Sequence, residues 1–133
     1  MKNVIKIISL VLVSMLLFTA CGGPKVYNIQ KAPVEVKKST TLNDVYKAIK
    51  RAGYKRGWRV TKVKDGLAKA YIDVRAKHQA TVMIKYDLKS YSIEYKSSNN
   101  LKYDAENNTI HKNYNSWVRN LDRDIQFELG MIE

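Results

Sequence analysis

The chain has 133 residues and few side chains suited to chemistry: one cysteine, Cys21, and two histidines, His78 and His111. A metal site needs several converging His, Cys, Asp or Glu side chains. The two histidines fall in different expected elements, so no metal site is expected. His111 with Asp104 and Glu106 is one conceivable grouping. A helix-start histidine bonded to a loop carbonyl is the simpler account. Nucleophilic catalysis needs an activated Ser, Thr or Cys beside a base. There is no G-x-S-x-G turn, and Ser97-Ser98 read as turn serines after a strand. Carboxylates for glycoside hydrolysis could be drawn from Asp73, Glu94 and Asp104, but no spacing selects a pair. There is no glycine-rich phosphate loop. Enzyme is therefore the least supported class, and no cofactor is expected.

Cys21 needs its own explanation. A single cysteine excludes an intramolecular disulfide, and in an exported chain it points to an interchain bond, a reactive thiol or a modification. Lys2 and Lys6 begin the chain, residues 7–18 (IISLVLVSMLLF) are almost wholly apolar, and Thr19-Ala20 precede Cys21. Charge, apolar run and small residues follow the order of a secretory signal. The run is shorter than the roughly 20 residues of a membrane span; an uncleaved signal anchor is the rival reading. Phe18-Thr19-Ala20-Cys21 resembles the cleavage box of bacterial lipoprotein signals, with Phe18 standing where leucine is usual and Leu17 one place early. The resemblance implies a diacylglyceryl thioether on Cys21, cleavage before it, and acylation of the new amino group. It also implies a cell-envelope address. Gly22, in place of the aspartate associated with inner-membrane retention, implies the outer membrane facing the periplasm in a Gram-negative host.

The expected organisation is a signal peptide at 1–20, lipidated Cys21 with a flexible tether at 21–39, and one domain at 40–133. Residues 22–39 carry two glycines, both prolines and four lysines. As a coil this stretch would reach roughly 25 Å. Residues 26–29 or 34–36 could add a short edge strand, since proline disfavours a central one. The formal charge is +12, or +10 without Lys2 and Lys6. That excess favours anionic partners: phospholipid, lipopolysaccharide, acidic glycan or nucleic acid. A lysine-rich solvated surface is the plainer reading. Basic residues among aromatics also suit nucleic acid, but an export signal argues against that partner.

The elements that must position any site follow from periodicity. Thr41 with Asp44 marks a helix start; Leu42, Val45, Ile49 and Ala52 recur at helical spacing, and Gly53 or Gly57 ends it. Strand patterns follow at 58–63, 67–75, 80–86 and 91–95, with Asp65-Gly66 a tight-hairpin signal. Residues 97–108 read as a long polar loop, with Leu101 and Tyr103 folded back on the core. A last helix carries Ile110, Tyr114, Trp117, Leu121 and Ile125 as one stripe, capped by Asn108 or Thr109. The expected fold class is α+β: a four-stranded antiparallel meander with two helices, one before and one after the strands, packed on one face.

Two helices on one side leave the other sheet face open. It is expected to display Arg59, Lys69, Tyr71, Arg75, Lys85 and Lys96, with Met83, against Asp73 and Glu94. Residues 93–101 (IEYKSSNNL) with 110–118 (IHKNYNSWV) resemble a family of small uncharacterised bacterial lipoproteins. The resemblance implies a fold and an address but no catalytic residue. The expected function is thus a membrane-anchored envelope lipoprotein acting as a non-enzymatic binding or assembly module. Its partner would be an anionic lipid, a glycan or an envelope protein. A purely structural subunit of an envelope complex is the alternative.

Overall fold

The structure, a computed structural model, describes residues 22–133. Cys21 and the expected signal peptide lie outside the described residues. Strand β1 (Ile29–Pro33) is followed by helix α1 (Leu42–Lys55), strands β2 (Trp58–Lys64), β3 (Leu67–Val74), β4 (His78–Tyr86) and β5 (Ser90–Asn99), and helix α2 (Lys112–Gly130). The strands form one antiparallel sheet in the order β1-β5-β4-β3-β2. The meander β2 to β5 follows from short connections, which make consecutive strands antiparallel neighbours. Both helices lie on one side.

Local chemistry sets the helix limits. Thr41 Oγ1 accepts the Asp44 amide at 3.2 Å, and the Asp44 carboxylate accepts the Thr41 amide at 2.9 Å, a reciprocal cap. Gly57, at φ +80°, turns the chain after α1 where a side chain would be strained. The expected cap of α2 is corrected. His111 caps it, its Nδ1 accepting the Asn113 amide at 3.1 Å. Thr109 lies two positions before the cap, its main chain paired with Asp104 and bridged to Lys25.

Alternation sends Ala68, Ala70 and Ile72 of β3, Ala80, Val82, Ile84 and Tyr86 of β4, and Tyr91 and Ile93 of β5 to the helix side. There they meet Val45, Ile49 and Ala52 of α1 and Tyr114, Val118, Leu121 and Ile125 of α2, all fully buried. The helices are also held by charge. Glu128, 8% exposed, accepts Arg51 Nε at 2.7 Å and pairs with Lys55, while Arg56 reaches Asp124 at 2.5 Å.

Two expectations are corrected. The sheet has five strands rather than four. The fifth comes from the stretch expected to be a flexible tether: Ile29 pairs with Ile93, Ala32 with Tyr91 and Pro33 with Ser90. Val26, Ile29 and Val34 join the core. Asn115, buried in α2, accepts the Tyr27 amide at 2.9 Å and donates to the Lys25 carbonyl at 2.8 Å. One side chain thus supplies the main-chain bonds that a neighbouring strand would give. Upstream, the Pro24 carbonyl accepts the Ile110 amide at 3.0 Å. A Cβ on Gly23 would lie 2.6 Å from the Ile110 carbonyl oxygen, so this close approach requires glycine.

Candidate functional site

The register across β2, β3, β4 and β5 builds the open face in rows. One row runs Arg59, Tyr71, Thr81, Ser97; the next runs Thr61, Lys69, Met83, Glu94. Tyr71, Thr81, Met83 and Glu94 are half-buried, and Arg59, Thr61 and Lys69 are exposed. Arg59, Thr61, Lys69, Tyr71 and Thr81 line a shallow depression of about 260 Å³. The Arg59 guanidinium carbon lies 5.8 Å from the centre of the Tyr71 ring, within cation–π range. Among the described residues, neither Arg59 nor Lys69 has a carboxylate within 4.0 Å.

The other expected members of this face are placed differently. Lys85 lies on it but pairs with Glu94 at 3.1 Å, which largely cancels its charge. Lys96 is the extra residue of a β-bulge: Tyr95 faces Val82 and Ser97 faces Thr81, leaving Lys96 without a partner position. Arg75 is not on a strand; it sits in the β3–β4 turn at φ +58°. The expected cluster of six therefore contracts to Arg59, Lys69 and Tyr71, with Lys85 at its margin. Thr61, Thr81 and Ser97 add hydroxyls that sequence reasoning passed over. Short polar residues in alternating strands carry no signal until register aligns them.

Neither histidine joins a cluster. His78 Nδ1 donates to the Asn100 carbonyl at 2.8 Å, and His111 serves as a helix cap. Among the described residues no three His, Cys, Asp or Glu side chains converge. Asp104 lies near His111, but its carboxylate closes its own loop, accepting Asn107 Nδ2 at 2.7 Å and the Glu106 amide at 3.0 Å. The Asn107 bonds hold this carboxyl below the usual range. Asp73 accepts Gln79 Nε2 at 3.0 Å and Glu94 pairs with Lys85, so each has a structural use.

Two cations without a carboxylate partner neighbour Tyr71, Arg59 across the strands and Lys69 along β3, with hydroxyls on the same rows. Such a surface can receive carboxylate or phosphate groups while the ring takes an apolar or sugar face. Both sheet edges are guarded against pairing with another strand. β1 carries Lys31 at φ +48°, Pro33 and a register shift; β2 carries Lys62, Lys64 and a shift between them. Among the described residues no helix is long and apolar enough to cross a membrane. No family model, curated protein or solved structure matches the chain.

Proposed function

We propose that this chain is a lipid-anchored envelope lipoprotein acting as a non-enzymatic binding module, whose open sheet face receives an anionic envelope component. The observation that carries the binding reading is the pair Arg59 and Lys69, neither paired with a carboxylate, the first beside Tyr71 across the strands and the second beside it along β3. Anchoring through Cys21 rests on the sequence 18–21 and its resemblance to lipoprotein signals. An acidic glycan suits the face best, because Tyr71 can lie under a sugar ring while the cations meet its carboxylates or phosphates.

The double variant Arg59→Glu/Lys69→Glu is expected to weaken binding to an acidic envelope glycan at least tenfold, since each cation would give way to a repelling charge. Lys50→Glu, on the exposed side of α1, is the control and should bind as wild type. Equal affinity of wild type and the double variant would remove the reading. A structural subunit is the second reading. Tyr54, 84% exposed, and Phe127, 59% exposed, favour it by offering apolar surface on the helix layer. Cross-linking in cells from the sheet face or from Tyr54 separates the two by the partner recovered.

A further inference from the structure

The segment expected to be a tether is largely taken up by the fold, and this sets which end of the domain lies next to Cys21. Gly23 already lies against Ile110, and the Pro24 carbonyl and Val26 amide bond to Ile110 and Asn108 on either side of a Lys25–Thr109 bridge. Only two peptide steps separate Cys21 from Gly23, at most about 8 Å, against the roughly 25 Å of a free tether. A lipid on Cys21 would therefore leave the domain almost no leash.

The end of the molecule beside that point is basic. Gly22, Gly23, Lys102, Asp104, His111 and Lys112 are among the residues that line one open cleft. Asn100 holds the β3–β4 turn next to it, donating from Nδ2 to the Lys77 carbonyl at 2.9 Å and accepting from His78. Arg75 and Lys77 on this turn, with Lys25, Lys102 and Lys112, give five exposed cations at one end of the sheet. Glu106 and Asp73 are exposed carboxylates near them, Asp73 accepting Gln79 Nε2, and Asp104 is occupied by its own loop. Arg75, displaced from the open face, thus belongs to a second basic surface.

We propose that this end, formed by Lys25, Arg75, Lys77, Lys102 and Lys112, docks on the anionic phospholipid headgroups of the bilayer that holds Cys21. The proposal rests on the anchoring reading. The short leash supplies proximity, and each cation beside an anionic leaflet adds about fivefold in partitioning. The β4–β5 turn at Asp87–Lys89 lies at the opposite end of the strands and points away from the bilayer.

The test uses the full, lipidated protein on vesicles of phosphatidylcholine mixed with phosphatidylglycerol and a headgroup-quencher lipid. Thioether formation blocks Cys21, so a fluorophore can be placed on Ala105→Cys, at the basic end, or on Leu88→Cys, at the far turn. The Ala105→Cys label is expected to be quenched several-fold more than the Leu88→Cys label. Equal quenching, or more at Leu88→Cys, in a protein that floats with the vesicles overturns the docking alone. A protein that carries no lipid overturns the anchoring reading and the docking with it. A long Gly-Ser spacer inserted between Cys21 and Gly22 isolates the contribution of charge. With the spacer, quenching at Ala105→Cys should persist on anionic vesicles and fall at least about tenfold on pure phosphatidylcholine. It should fall likewise in Lys25→Glu/Arg75→Glu/Lys102→Glu/Lys112→Glu. The milder Lys102→Gln/Lys112→Gln, in a chain whose circular dichroism is unchanged, should give a smaller loss in the same direction. Persistence on neutral vesicles, or in both charge variants, overturns headgroup recognition.

Discussion

Tyr91 and Glu128 show how single buried groups hold the helix layer to its surroundings. The Tyr91 hydroxyl donates to Asp122 Oδ1 at 2.5 Å and accepts Gln126 Nε2 at 2.9 Å, pinning β5 to α2. Burial, with the Asp122 carboxylate beside it, pushes the phenol far above its ordinary value, so it stays a donor. Tyr91→Phe is expected to lower stability by about 1–2 kcal/mol in urea denaturation, without changing binding at the open face. Glu128 is held below the usual carboxylate range by its bonds from Arg51 and Lys55. A depressed folded value means its stabilisation is complete above the unfolded value and fades as pH falls through the folded one. Wild type should therefore lose urea stability between neutral pH and pH 3 more steeply than Glu128→Gln. Equal slopes would show that the ion pairs add nothing.

The elements differ in how far sequence pattern could reach them. The four meander strands were legible because alternation and short turns are local properties. β1 was not. Ile29-Gln30-Lys31-Ala32-Pro33 barely alternates, contains proline and a positive φ, and pairs with β5 some sixty residues away. A non-local pairing, entered through a segment that a buried asparagine of α2 holds, leaves no periodic trace. Asn115→Leu removes two bonds to part-buried main chain. It should cost about 2–3 kcal/mol and speed hydrogen exchange at the Tyr27 amide, while the β3 and β4 amides stay protected. Gly53 shows packing overriding propensity. Alanine in a helix interior is ordinarily better by about 1 kcal/mol. Here its Cβ would lie 2.4 Å from Val60 Cγ2, a branched strand side chain with little room to move. Gly53→Ala is expected to destabilise by about 1–3 kcal/mol.

At the scale of the whole molecule, the open face was partly legible and the basic end was not. Strand alternation identified Arg59, Lys69 and Tyr71, because these stay in register across β2 and β3. Arg75 and Lys96 escaped it, since a turn and a bulge break the two-residue period. The end bearing Lys25, Arg75, Lys77, Lys102 and Lys112 collects residues from three separate segments, which only the folded chain brings together. Part of the positive charge therefore collects in two places, beside Tyr71 on the open face and beside Gly22 at one end, which we propose meet a ligand and the bilayer. High salt should weaken both, as it does contacts between exposed charges, while leaving an acylated chain membrane-bound through its lipid.

Both proposed roles rest on a lipid on Cys21, and metabolic labelling with radioactive palmitate tests that most directly. Wild-type protein expressed in a bacterial host should take up the label and migrate as a shortened chain beginning at Cys21. Cys21→Ala should take up none and remain uncleaved. Equal labelling of the two proteins, or an unlabelled wild-type chain retaining residues 1–20, would contradict the anchored reading.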